Sequence, residues 1–357
     1  MTRTSLKTDP TQITRITAVP MRDNRRVRVG LIGTGRLGSI YARIIAGMLP
    51  NAMLAAVAGK QCQEIGELYN VPENQRFEDR LELIASADID CVAIVSSTDT
   101  HVQIAIEALQ ADFPVLCEKP LGLDVAGARS VAEVVEKAAG LFQMGFMRRW
   151  DPAYSTAKQH IENDLIGNPV VYKATGRDAH RTAIQYAGES GGILFDMGVH
   201  DFDLARFFMG EVASVSTKAG VLVYPELADV PDYDNTITTL VFESGALGVV
   251  DLSRNAGYGA HNECEILGSR GAVRMGKVQY TPVQVMNVDG VMHDAIPTYA
   301  QRFLDAFPIQ LQDFVNNVIT GTPPTVTVND GVESLRICEA ALLSAQRGIE
   351  ISMQSID

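Results

Sequence analysis

No uninterrupted apolar run in the sequence reaches the roughly 18 to 20 residues needed to cross a bilayer, and the first residues lack the apolar core of a signal peptide. The expectation is a soluble chain retained in the cytoplasm. Cysteine is sparse: Cys62, Cys91, Cys117, Cys264 and Cys338 are odd in number and widely scattered, and mostly sit in apolar, strand-like or helix-like surroundings. There is no C-x-x-C pair and no H-E-x-x-H helix, so a structural zinc or a zincin centre has no support and the thiols read as reduced core residues. Basic residues are in deficit, 30 against 43 acidic, for a formal charge of −13. No Lys/Arg cluster offsets this, since Arg25, Arg26 and Arg28 merely precede a strand, and a phosphate backbone would be repelled. Nucleic acid and membrane are therefore not expected partners. Internal repeats and low-complexity tracts are also missing.

What is present is the composition of a globular enzyme, 46% hydrophobic and 20% charged over 357 residues. That length favours two domains, although a single barrel can also reach it. Residues 1–25 carry Thr and Arg with little apolar periodicity and read as a disordered extension, with a targeting remnant or an upstream start before Met21 as alternatives. From Val27 the pattern changes. VRVGLI is a β-rich run followed by glycines and a helical stretch through Met48.

AMLAAVA at 52–58, CVAIV at 91–95, VLCEKP and LFQMGF continue the rhythm, with helical segments near 61–69 and 101–110. Continuous apolar strands alternating with helices predict a doubly wound parallel sheet over 26–150. Over 151–357 the texture differs. A helix is expected at 192–209 and strands between 213 and 288 separated by turns such as Glu243-Ser244-Gly245, which predicts an α+β domain with a large open, mostly antiparallel sheet. Two helices at 299–319 and 329–347 are split by Gly321-Thr322-Pro323-Pro324.

Gly33-Thr34-Gly35-Arg36-Leu37-Gly38 follows the first strand and opens a helix, so backbone N–H groups and the helix dipole can receive a pyrophosphate. The first glycine permits the tight turn, the second lets phosphates approach, and the third allows helix-to-strand packing. A carboxylate that binds the adenosine ribose is usual at the end of the second strand, but Gly59 and Lys60 stand there. With Arg36 and Lys60 available for a 2′-phosphate, the cofactor is read as NAD(P), leaning slightly to NADP. Both cations being merely solvated is the alternative.

Glu118-Lys119-Pro120 lies at the carboxyl end of a strand, where open α/β sheets bind ligands, so Lys119 can face a substrate rather than serve as a surface charge. Asp196 and His200 are spaced i, i+4 on the expected helix and can hydrogen-bond, an arrangement that would fix the imidazole tautomer and raise its basicity. A helix-stabilising pair is the bland alternative. Asp201 and Asp203 hint at a cation site, but carboxylates with one histidine at this spacing are poor evidence for metal, and none is expected.

The combination of GLIGTGRLG, CEKP at 117–120 and D-M-G-V-H at 196–200 resembles the Gfo/Idh/MocA oxidoreductase family. The resemblance extends over essentially everything after residue 25. Within the family, GFMRRWDPAY at 145–154 and DLSRNAGYGAHNECEILGSRG at 251–271 look most like inositol 2-dehydrogenases. It implies a Rossmann domain, a C-terminal domain whose open sheet builds oligomer contacts, and often a tetramer. It further implies Lys119, Asp196 and His200 as catalytic residues, and Tyr258, Arg177 and Asp178 as polyol contacts. Cofactor contacts are expected at Gly33, Gly35, Arg36, Leu37, Gly38, Gly59 and Lys60, and also at Ser97, His101, Glu118 and Lys119.

Two positions depart from the pattern. Myo-inositol dehydrogenases commonly carry a different pair at Arg177-Asp178, whereas scyllo-inositol and related sugar dehydrogenases are more comfortable with Arg-Asp, and Gly59 departs from the family's usual preference for NAD. The expected reaction is hydride transfer from a ring carbon of an inositol to the nicotinamide while His200 takes the hydroxyl proton, Asp196 stabilises the imidazolium and Lys119 orients the hydroxyl. Rival readings are a related aldose or anhydrosugar dehydrogenase and a catalytically idle dinucleotide sensor. His261 and His293 have no assigned role.

Overall fold

A computed structural model of the chain describes residues 26–138, 140–179, 183–230 and 232–356. The expected extension, 1–25, lies outside the described residues. The first domain holds β1 (Val27–Ile32), α1 (Arg36–Gly47), β2 (Ala52–Ala58), α2 (Cys62–Leu68), β3 (Arg76–Phe77), α3 (Arg80–Ser86), β4 (Cys91–Ile94), α4 (Thr98–Gln110), β5 (Val115–Glu118), α5 (Val125–Ala138) and β6 (Phe142–Gly145). Its six strands run parallel in the order β3-β2-β1-β4-β5-β6. The order reverses between β1 and β4, and ligands of such sheets bind in that crevice. Apolar runs buried on both faces, such as the fully buried CVAI of β4, explain why these strands lack alternation.

Asp151 caps the next helix, accepting from the N–H groups of Ala153 and Tyr154 at 3.1 and 3.4 Å, with Pro152 pre-set for the first turn of α6 (Pro152–Glu162). Then come β7 (Pro169–Arg177), α7 (Ile184–Glu189), a wide π turn at Leu194–Gly198, α8 (Val199–Met209), β8 (Val212–Gly220), β9 (Asn235–Phe242), β10 (Leu247–Ser253), β11 (His261–Gly268), β12 (Ala272–Lys277) and the hairpin β13 (Gln284–Asn287) and β14 (Gly290–His293). The chain closes with α9 (Tyr299–Arg302), α10 (Ala306–Thr320), α11 (Val328–Arg347) and β15 (Ile351–Ser352).

Seven of these strands form a mixed sheet, β12-β11-β7-β10-β9-β8-β15, antiparallel except where β7 meets β10. Its alternation is clean. Tyr172, Ala174, Val250, Leu252, Cys264 and Ile266 are buried beneath helices that include α8 and α11, and the residues between them face away.

Three expectations need correction. The helix foreseen at 299–319 is broken into α9 and α10, because Pro308 would sit inside a continuous helix but is tolerated in the first turn of α10. The helix foreseen from 101 begins at Thr98. The segment at 192–209 is not one regular α-helix, because the π turn interrupts it. All five cysteines are buried and unpaired. Among the described residues no helix is long and apolar enough to cross a membrane.

Candidate active site

The glycine loop after β1 has three different reasons for its glycines. Gly33 has φ +108°, and a Cβ there would lie 2.4 Å from the Val95 carbonyl carbon on the facing loop. A Cβ on Gly38 would lie 2.0 Å from the Gly33 oxygen. Gly35, by contrast, has nothing within 4 Å of its Cβ position, and it begins α1 without a side-chain cap or any acidic residue in the first turn. Open space beside an uncapped, positively polarised helix end fits a diphosphate.

Gly59 follows β2 with φ +137°, and a Cβ there would lie 2.7 Å from Thr34 Oγ1, which accepts from the Gln61 N–H at 2.9 Å. The turn needs glycine, so no side chain can serve as a ribose ligand at that position. Lys60 beside it is exposed. The Arg36 guanidinium lies 5.6 Å from the Tyr299 ring centroid and donates to the Tyr299 hydroxyl at 3.5 Å. Burial, the leading cause, helps push the Tyr299 phenol up to about 12.

Of the remaining cofactor candidates, Leu37 packs against the core, and Ser97 is exposed ahead of α4 with no side-chain cap bond. His101 and Glu118, expected as cofactor contacts, are both buried. The His101 ring is buried with its Nδ1 2.8 Å from the Pro120 oxygen and its Nε2 3.1 Å from the Ser96 oxygen; burial favours the neutral ring, which donates to one of these carbonyls and not to both. Glu118 points inward, accepting from Tyr41 and from the Lys119 N–H. A buried carboxylate needs such donors.

Lys119 and Asp196 do meet. The Lys119 Nζ donates to the Asp196 carbonyl oxygen at 2.7 Å and lies 3.3 Å from its Oδ1. Tyr186 on α7 donates to the same Oδ1 at 3.1 Å, and Arg254 Nη1 is 3.7 Å from Oδ2. Burial would raise the Asp196 pKa, but Lys119 and Arg254 outweigh it and hold the carboxyl below its ordinary value.

His200 stands in the same neighbourhood, its titration coupled to Lys119 and Arg148, with its ring edge-on to Phe146 at 6.3 Å. The expected bond from Asp196 is not made. Asp196 lies in the π turn, where i, i+4 alignment no longer holds, and its oxygens are engaged by Lys119, Tyr186 and Arg254; His200 Nδ1 is buried without a hydrogen-bond partner among the described residues. Nor is the imidazole more basic. Burial first, then Lys119 and Arg148, push its pKa well below the usual histidine value.

Arg177 and Asp178 separate because consecutive residues leaving a strand point to opposite faces. Asp178 turns toward the cluster, where burial and then Asp196 raise its pKa against the pull of Arg254, Arg148 and Lys119. Arg177 shares the uncovered face with Asp251, to which it is paired, and it donates to the Tyr258 hydroxyl at 3.3 Å. That hydroxyl also shares a hydrogen bond with His261 Nδ1 at 2.9 Å. Arg177 and Tyr258 thus form their own group, and His261 acquires a place in it. His293 Nδ1 meets the Asp294 oxygen in the exposed hairpin. The hinted cation site at Asp201 and Asp203 is taken by guanidinium groups, Arg148 at 2.7 Å and Arg149 at 2.6 Å.

The chain as a whole has relatives. Residues 27–146 match the NAD-binding Rossmann fold of the GFO_IDH_MocA oxidoreductase family, and residues 158–353 match its C-terminal alpha/beta domain. The chain belongs to the Gfo/Idh/MocA oxidoreductase family. Within the family it is similar to myo-inositol 2-dehydrogenase of Thermotoga maritima, 34% identical over 92% of this chain and 99% of that one. It is also similar to the NAD(+) scyllo-inositol 2-dehydrogenase of Bacillus subtilis, 32% identical over 92% and 96%. A crystal structure of scyllo-inositol dehydrogenase from Lactobacillus casei with bound NAD(H) and scyllo-inositol aligns with a TM-score of 0.88 at 30% identity, covering 93% of this chain and 100% of that one.

Tyr186 and Arg254 were not foreseen as members of the site. Arg254, fully buried just after β10, had one visible signal, a cation in DLSRNAG where an alternating strand ends. Tyr186 had none.

Proposed function

We propose that this Gfo/Idh/MocA oxidoreductase is an NAD(P)-dependent inositol dehydrogenase, oxidising one ring hydroxyl of myo- or scyllo-inositol to the inosose. Residues 26–150 hold the dinucleotide, and 151–357 supply the polyol site and the oligomer contacts. The observation that carries this reading is the Lys119 ammonium, projecting from the end of β5, 2.7 Å from the Asp196 carbonyl oxygen, with the buried His200 facing the same cation, which helps push its pKa well below the ordinary histidine value.

A bound nicotinamide supplies the hydride acceptor at this site. His200, neutral because of its burial and the two neighbouring cations, accepts the hydroxyl proton as the hydride leaves the ring carbon. Lys119 donates to the hydroxyl oxygen and favours its developing negative charge. Asp196 stays ionised and anchors that ammonium, and Asp178 faces the same space to receive polyol hydroxyls.

The test is a panel of inositols and pyranoses with NAD and NADP, read as absorbance of the reduced nicotinamide. An inositol is expected to give the highest kcat/KM. Absence of signal with every inositol, or a clear preference for an aldose, overturns the assignment.

Choice between the two dinucleotides falls first on Lys60, which stands beside Gly59, while Arg36 rests against Tyr299 and the positive φ of Gly59 disfavours a carboxylate-bearing residue there. The lean to NADP rests on that one cation. Lys60→Glu is expected to weaken NADP binding about tenfold through charge repulsion and to leave NAD nearly untouched, measured by fluorescence titration of the reduced forms. Equal effects on both would show that the 2′ position lies elsewhere.

The assembly we propose is a cytoplasmic homotetramer. The uncovered sheet face supports self-association, since Ile237, Leu247 and Leu267 project there exposed among charged neighbours.

A further inference from the structure

Behind Lys119 runs a buried polar chain that no hydride transfer uses. The Gln310 side-chain amide on α10 donates to the Tyr41 hydroxyl at 2.7 Å, and that hydroxyl in turn donates to Glu118 Oε1. The second oxygen, Oε2, accepts the Lys119 N–H at 3.1 Å. Tyr41 and Gln310 are fully buried and Glu118 nearly so. The carboxylate rests on β6 backbone, where a Cβ on Gly145 would lie 3.1 Å from Glu118 Cδ. Three parts of the protein therefore converge on one carboxylate: α1, whose first turn faces the diphosphate crevice; the end of β5, from which Lys119 projects; and α10 of the second domain. Desolvating a carboxylate is costly, and an apolar trio of equal volume would pack as well. What the polar trio adds is direction, because each donor constrains the atom it meets.

We propose that Tyr41 and Gln310 are positioning residues for the reaction, acting through Glu118 to fix the backbone from which the Lys119 ammonium reaches Asp196. The proposal rests on the dehydrogenase reading for its kinetic readout but not for its chemical one. The titratable groups facing Glu118 are Tyr41 from α1, Cys117 from its own strand, Lys119 just beyond that strand, and Tyr299 from α9. Burial raises the Glu118 pKa, and the Tyr41 hydrogen bond opposes that rise. Without the hydroxyl the carboxyl protonates at higher pH. The sign follows: a network that needs the carboxylate loses function on the acid side, and Tyr41→Phe moves that acid limb upward.

The test compares wild type, Tyr41→Phe and Gln310→Met in the full chain. Turnover of the preferred polyol in Tyr41→Phe is expected to fall about tenfold through lost orientation, with the dissociation constant of the reduced dinucleotide unchanged and the acid limb of kcat shifted to higher pH. Gln310→Met should shift both in the same direction by less. In parallel, the rate at which Lys119 is acylated by acetic anhydride is read by peptide mass spectrometry, and it should change in both variants. If the wild type turns over no polyol, the dehydrogenase reading fails, while altered Lys119 acylation still sustains the positioning role. Unchanged Lys119 acylation in folded variants overturns it, as does a loss of turnover that merely tracks the unfolded fraction with no movement of the pH limb. Should Tyr41→Phe not fold, Gln310→Met alone decides.

Discussion

His200→Ala is expected to lower polyol turnover by about 10²- to 10⁴-fold, the usual contribution of a positioned base, while dinucleotide affinity is retained. The separation follows from placement. His200 belongs to α8 of the second domain, and the glycine loop that receives the diphosphate is built by β1 and α1 of the first. Stopped-flow absorbance measures the first quantity and fluorescence titration of the reduced dinucleotide the second. Loss of both together would make the histidine a structural element.

The pH profile gives an independent check on the same residue. An imidazole with an ordinary pKa near 6.5 would already cost activity between pH 7 and 6. Burial, Lys119 and Arg148 depress the His200 value well below that, so the base remains unprotonated as pH falls through this range. kcat should stay flat there in the wild type, with its acid limb lower. A limb centred on the ordinary histidine value and unmoved by Tyr41→Phe, so not that of Glu118, would mean that the ring is solvated, or that Asp196 supports it directly after all.

Much of this arrangement is legible in the sequence, for identifiable reasons. The parallel sheet is readable because strands buried on both faces are short apolar runs, and β1, β2, β4, β5 and β6 all have that form. Strand β3 and helix α3 are not, since two residues, Arg76 and Phe77, and a seven-residue helix leave too little periodicity. Lys119 is readable from its position at a strand end. Its two hydrogen bonds to Asp196 are not, because they cross 77 residues of sequence. The supposed pair of Asp196 and His200 misleads for a geometric reason: i, i+4 spacing implies contact only where the backbone is α-helical, and a π turn cannot be inferred from D-M-G-V-H. Arg177 and Asp178 are neighbours in sequence, yet they leave the strand toward opposite faces of the sheet.

The largest loss of stability is expected at Asp201, the residue beside the proposed base. Its carboxylate accepts from Arg148 at 2.7 Å, with the two side chains only 2% and 5% exposed. Burial raises the Asp201 pKa and Arg148 lowers it, while the guanidinium's own pKa, which burial would lower, is raised by Asp201. The pair is therefore best described as two mutually dependent charges. Arg148 also donates to Asn262 at 2.8 Å and lies 5.1 Å from the Phe303 ring centroid, so it is fixed in place if its partner is removed.

Asp201→Ala should cost about 3 to 5 kcal/mol, since it strands a buried guanidinium; the measurement is denaturant unfolding. Arg148→Met combined with Asp201→Leu should recover much of that loss, because no charge is then left without a partner. A single variant that costs less than about 1 kcal/mol would place the pair in the range of solvent-screened surface bridges. Activity in the double variant adds a finer test. Removing Arg148 takes away one of the two cations that depress the His200 pKa, so the acid limb of its kcat should move upward even where the fold is restored.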